Sequence, residues 1–258
     1  MVRVAADAAH ASAPTIDALG QFQLHPVGFM LGSVNFSQSN LMMVIGSALV
    51  LALLHFGARK REIVPGRLQA AAELSYDFVY NMAVDQIGPE GKRFFPFVFT
   101  LFFFVLMGNM LGLVPYSFTY TSHIAVTAAL AILVIVLVTV VALMQHGLNF
   151  FTYFFPSGAP VFLAPLIIPI EIISYLSRPV SLSIRLFANM VAGHVMFAVF
   201  ASFVVMMGSA GAFGMAAAIG PLAVNVVLMG FELLVAALQA YVFAILTCIY
   251  LHDAVHLH

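Results

Sequence analysis

From Phe94 to Ile170 the chain runs for 77 residues without a single Asp, Glu, Lys or Arg. A soluble domain carries roughly 25% charged residues, so no water-facing surface can be built from such a stretch. A transmembrane helix needs about 20 predominantly apolar residues, so this segment alone holds at least two spans. The remainder agrees: the 258-residue chain is 63% hydrophobic and 7% charged, with a mean hydropathy of +1.09. The fold class that follows is an all-α polytopic membrane protein.

Composition also removes several function classes. Nine basic against ten acidic residues leave no basic patch for nucleic acid. The one cysteine, Cys248, excludes an intrachain disulfide framework and a zinc ribbon, and is expected to pack in an apolar helix. No HExxH or Gly-rich phosphate loop is present, and no His pair is placed for haem. No catalytic site of the chain's own, no metal and no cofactor are therefore expected. Met1 to Val27 contains no apolar run long enough for a signal-peptide core, so insertion through the first span is expected.

The hydropathy pattern predicts spans over residues 41–57, 94–113, 124–144, 161–208 and 222–251. Residues 1–40 read as an N-terminal external arm and 41–258 as a single membrane domain. Six of the nine basic residues (Arg59, Lys60, Arg61, Arg67, Lys92 and Arg93) follow the first span or precede the second. Cationic flanks mark the cytoplasmic end of a span, which puts the N-terminus outside and the C-terminus in the cytoplasm. An amphipathic helix is expected over 68–86, with Glu73, Asp77, Asn81 and Asp85 on one face and Ala71, Ser75, Phe78 and Met82 on the other. A solvated linker and an interfacial helix are equally open for it. The Phe-rich run from Phe94 to Phe104 reads most simply as lipid contact.

Val161 to Gly208 is a 48-residue, largely apolar run. As continuous helix it would be about 72 Å long against a hydrocarbon core of about 30 Å. Pro165, Pro169 and Pro179 permit kinks, but no turn cluster reverses the chain. One long, steeply tilted helix, paired as a hairpin with the last, is preferred over two folded-back spans. The Gly- and Ala-rich stretch from Gly208 to Gly220 is expected to make the turn.

Charges within these last two helices carry the functional signal. Glu171, Arg178 and Arg185 are seven residues apart and share one stripe with Ser174, Ser181 and Asn189. His194 points about 180° from Arg185 at about 100° per residue. In the final helix Asn225, Glu232 and Gln239 repeat every seven residues. An ionisable group at the bilayer centre costs from about 3 to more than 10 kcal/mol, so such groups face partners or watery cavities. Arg185 stays protonated and cannot relay protons by titrating, but it can hold a fixed positive charge. Polar side chains can also merely associate helices, the plainer account for Asn225 and the serines, as a stabilising pair is for Arg178 and Glu171. His55, His123 and His146 near span ends read as interfacial, and the tail from His252 to His258 carries no assigned role beyond solvating the end of the chain.

The run Ser181 to His194, SLSIRLFANMVAGH, resembles the signature of subunit a of the rotary F-type ATP synthase. PGRLQ at Pro65 to Gln69, GNMLGLVP at Gly108 to Pro115, EIISYLSRPVSL from Glu171 and ELLVAALQAYVF from Glu232 extend the resemblance over about residues 40 to 252. It implies a bacterial inner-membrane stator subunit beside a ring of c subunits, with peripheral-stalk b-type subunits and the lipid bilayer as further partners. It implies that Arg185 faces the ring with Gln239 nearby. By the same resemblance Asn189, His194 and Glu232 match a half-channel from the external side, and Glu171, Ser174 and Ser181 the cytoplasmic approach. Some relatives carry Glu at the position of His194 and His at that of Glu232, which implies that the two work as a unit. The alternative is a self-contained proton-coupled transporter with Arg185 binding an anionic substrate. Such folds commonly carry internal repeats, and none is visible between the two halves here.

Overall fold

The computed structural model describes residues 26–31, 34–59, 64–114, 117–147, 150 and 161–256. Among the described residues a short antiparallel hairpin comes first, β1 (Pro26–Leu31) and β2 (Val34–Ser37), pairing Leu31 with Val34 and Met30 with Asn35. Six α-helices follow among the described residues: α1 (Gln38–Arg59), α2 (Arg67–Ile87), α3 (Gly91–Gly112), α4 (Ile124–His146), α5 (Ala164–Gly208) and α6 (Ala212–Val255). All but α2 are long and apolar enough to cross a membrane. The five expected spans are therefore present, and α5 runs as one helix of 45 residues rather than folding back. The expected arm before residue 26 lies outside the described residues.

Where helices stop, glycine supplies the backbone. Gly88 (φ 92°) ends α2 and Gly147 (φ 56°) ends α4, each donating its N–H to the carbonyl four residues back, Val84 and Leu143. Positive φ carries little steric penalty only without a Cβ. The turn after α5 is shorter than expected. Ser209, Ala210 and Gly211 (φ 90°) suffice, and α6 begins at Ala212 rather than near 222. The Gly and Ala residues up to Gly220, and Pro221, are taken into the helix. Glycine and proline are more frequent in membrane helices than in soluble ones, so their density there did not mark a loop.

The contacts divide into two compact units, Leu24–Val191 with Glu232–His258, and Ala192–Phe231. In the larger unit the core is contributed by α2, α3, α4, the first part of α5 and the last part of α6. Phe94, Phe99, Phe102 and Phe103 are buried in it, which overturns the reading of the Phe run as lipid contact. Tyr76 and Tyr80 of α2 pack on Phe95 at 4.6 and 5.6 Å between ring centroids. The reason is α2 itself, which lies against α3 and covers the aromatic face. Its buried side is Ala72, Val79, Met82, Ala83 and Ile87, while Ala71 and Phe78 are exposed. The inward stripe is thus rotated by about one residue from the expected one, and the acidic face stays out.

Close approach sets the joint between α2 and α3. A Cβ on Gly91 would stand 2.5 Å from the carbonyl oxygen and 2.9 Å from the carbonyl carbon of Ala83, both backbone atoms. Gly91→Ala is therefore expected to lower stability by about 1–3 kcal/mol, the usual range for overpacking. Thermal unfolding in detergent measures it. Gly66→Ala, where a Cβ meets nothing within 4 Å, should leave the midpoint unchanged.

The connection between α3 and α4 includes a 3₁₀ turn, Tyr120–Ser122. The buried Tyr120 hydroxyl donates to the Phe104 carbonyl at 2.6 Å, and burial raises its pKa above the ordinary tyrosine value. His123 stacks on Phe118 at 5.2 Å, and burial lowers the pKa of its imidazole. The end of the chain makes contacts that its sequence leaves open. His146 Nε2 lies 3.2 Å from the Val255 carbonyl, His252 Nδ1 lies 3.4 Å from that of Ile87, and Ala254 and Val255 are buried.

Candidate functional site

The site is built on α5. In the most apolar window of α5 only 6% of residues are buried, against 50% for α3. Its inward residues, Tyr175, Leu182, Ser183, Leu186 and Met190, recur at helical spacing and form one narrow stripe. Much of the remaining surface is apolar and uncovered, with Ile173, Leu176, Val180 and Ile184 all exposed. In the midst of it stands Arg185, exposed, with no hydrogen bond or ion pair to any described residue.

The second arginine of α5 is treated differently. Arg178 donates to Asp253 of α6 at 3.3 Å. Its guanidinium also stands 5.3 Å from the ring centre of Tyr250 and 5.7 Å from that of Tyr175, within cation–π range. Tyr175 is held in turn by Thr139 of α4, hydroxyl to hydroxyl at 2.7 Å, and Ser183 by Thr127 at 3.2 Å. A stabilising pair with Glu171 was the plain structural alternative for Arg178. The structure replaces it with Asp253, 75 positions along the chain, because the last turn of α6 packs beside the first half of α5.

Beyond Arg185, Asn189 donates to the side-chain oxygen of Gln239 at 2.8 Å, joining α5 to α6. Gln239 is buried, and its amide nitrogen has no partner among the described residues. Seven residues earlier on α6, Glu232 is 5% exposed, and neither carboxylate oxygen has a partner among the described residues. Between them, Asn109 of α3 donates to the Ala236 carbonyl at 3.2 Å and accepts from Thr121 at 2.8 Å. Asn109 is fully buried. It ties α3 and the 3₁₀ turn to α6 midway between the two polar residues.

A family model described as ATP synthase A chain matches residues 40–252. The chain belongs to the ATP synthase A chain family. It is 69% identical to ATP synthase subunit a of Granulibacter bethesdensis over 96% of this chain and 100% of that protein. It is 66% identical to the subunit a of Gluconacetobacter diazotrophicus, over 95% and 99% of the two chains. The identity to that of Rhodospirillum rubrum is 53%, over 87% and 91%.

Within this A-chain fold, the structure brings together Asn189 and Gln239 and places Glu232 on the same helix as Gln239. Glu171 is half-buried, and Ser174 and Ser181 are exposed on α5 with Arg185. His194 and Asn225 are half-buried residues of the smaller unit. Sequence reasoning passed over Asn109 and Asp253. Asn109 stood in plain view inside GNMLGLVP, as an amide in an apolar helix. Asp253 was hidden by its place in a His-rich tail.

Proposed function

We propose that this chain is the proton-translocating subunit a of a bacterial F-type ATP synthase, and that Arg185 is the fixed charge between two half-channels. The observation that carries the reading is Arg185 itself. Two arginines sit on one apolar helix, one is held by a carboxylate and two tyrosine rings, and Arg185 is left exposed without a hydrogen bond or ion pair to any described residue. Such a cation, on an uncovered helix, suits a carboxylate that arrives from another subunit.

In this reading a ring of c subunits runs past the exposed face of α5. A ring carboxylate reaching Arg185 is stabilised as the anion and gives up its proton to one side. Reprotonation from the other side lets it move on, neutral, through lipid. Glu171, Ser174 and Ser181 line the cytoplasmic approach. Asn189, His194 and Glu232 line the external one, with Gln239 beside Arg185 and with Glu232 burying a carboxylate that the described residues do not pair. Residues 1–40 form an external arm and 41–258 the membrane domain, with the C-terminus in the cytoplasm. The cationic cluster from Arg59 to Arg93 supports that orientation. Peripheral-stalk b-type subunits complete the stator.

Co-purification tests the reading against a self-contained transporter. Solubilised in mild detergent from its native membrane, the chain is expected to carry a ring of c subunits through size exclusion. A monodisperse chain that binds no ring and yet moves protons in liposomes would overturn it.

A further inference from the structure

Arg178 and Arg185 are seven residues apart on α5, so they point within about 20° of one another and are about 10 Å apart along the axis. A helix of 45 residues is about 67 Å long and fits a hydrocarbon layer of about 30 Å only when inclined by roughly 60°. On such a helix the two guanidinium groups differ by only about 5 Å in depth, and most of their separation runs sideways. A carboxylate carried past at the depth of one therefore passes close to the other. Two uncompensated cations on this face would offer it two stopping places.

The structure removes one of them. Arg178 is ion-paired to Asp253 at 3.3 Å and stands near two tyrosine rings, whose faces also attract cations. Both ends of the pair lie in the larger unit, and both are only partly exposed, with side chains at 22% and 38%. The end of α6 that carries Asp253 is fixed by its neighbours. Ala254 and Val255 are buried, and the Val255 carbonyl meets His146.

We infer that Asp253 is a positioning residue for proton translocation: by neutralising Arg178 it leaves Arg185 as the single competent cation on the rotor-facing side of α5. This rests on the proposed role of Arg185 toward a passing carboxylate. Removing the negative charge should release Arg178 to trap that carboxylate. Removing both charges should cancel the defect, because no second cation then remains.

The test uses the assembled enzyme in inverted membrane vesicles, with ATP-driven acidification as readout and the amount of membrane-bound subunit measured in parallel. Asp253→Asn should lower pumping about tenfold, a conservative share of a contact ion pair's attraction in a partly desolvated setting. Arg178→Gln should pump within about twofold of wild type, and Arg178→Gln/Asp253→Asn should return to the level of Arg178→Gln, since without Arg178 the carboxylate has nothing to neutralise, so the cycle shows a coupling of about tenfold. A merely structural pair predicts instead that Arg178→Gln, which leaves the Asp253 carboxylate unpaired, fails as Asp253→Asn does, with less subunit in the membrane. That result, or full pumping by Asp253→Asn, overturns the inference. If Asp253→Asn accumulates poorly, Arg178→Gln and the double variant still decide, because failure of either to pump overturns it equally. Arg185→Ala in the same series separates the two levels. If it pumps normally, the role of Arg185 fails, whereas its silence beside an active Asp253→Asn sinks only the role of Asp253.

Discussion

Replacing Arg185 by alanine is expected to reduce ATP-driven acidification of membrane vesicles by about three orders of magnitude and to raise passive proton leak. The magnitude follows from Coulomb's law. Two unit charges about 4 Å apart at an effective dielectric of about 20 attract by about 4 kcal/mol, close to a thousandfold in an equilibrium. That attraction is what would pull a proton from a carboxylic acid held in an apolar setting. The leak has a separate origin. Arg185 cannot give up its proton at physiological pH, so a proton cannot hop through its position, whereas alanine leaves room for water. Each proton that slips through at 100 mV forfeits about 2.3 kcal/mol. Arg185 is exposed and has no hydrogen bond or ion pair to any described residue, so its removal breaks no interaction seen in the fold and the subunit should still assemble. A pH-sensitive dye reports both quantities. Normal pumping would return attention to the transporter alternative.

Glu232→Leu should separate stability from activity in the opposite way to a typical core substitution. Both carboxylate oxygens are buried without a partner among the described residues. Losing them therefore orphans no described donor, and an isosteric apolar side chain is neutral or stabilising in such a place. Thermal unfolding in detergent should show an unchanged or higher midpoint. Pumping should fall by about a hundredfold, the lower range for removing a group that transfers protons. Unlike Arg185→Ala, this variant should not leak, because the fixed cation is intact. Pumping at the wild-type rate would mean that protons do not pass by Glu232.

Much of the architecture is legible in the sequence because a membrane helix must be long and apolar. Hydropathy alone placed five spans, four of them with boundaries within about three residues, a common margin for helix ends. What it missed has a common physical cause. In lipid, a side chain against protein and one against acyl tails are equally apolar, so the burial of Phe99 and Phe103 left no compositional trace. The same blindness hid the true face of α2, where Ala72 and Val79 were chosen over Ala71 and Phe78 by packing on α3. For the candidate site, Arg185 and Glu232 were legible as charges costly to bury in a membrane helix, and Asn189 and Gln239 as polar members of the same two helices and through the resemblance. Asp253 was not, since nothing local ties a carboxylate in the last turn of α6 to an arginine 75 residues earlier.

The unbroken length of α5 has one more consequence. A rotor moving past a strongly slanted helix does not meet its side chains all at once. In the proposed reading it would pass Ser181, Arg185 and Asn189 in turn, and in the reverse order when driven the other way. Place along the chain then becomes moment in the cycle, and one static row of residues serves both directions of rotation.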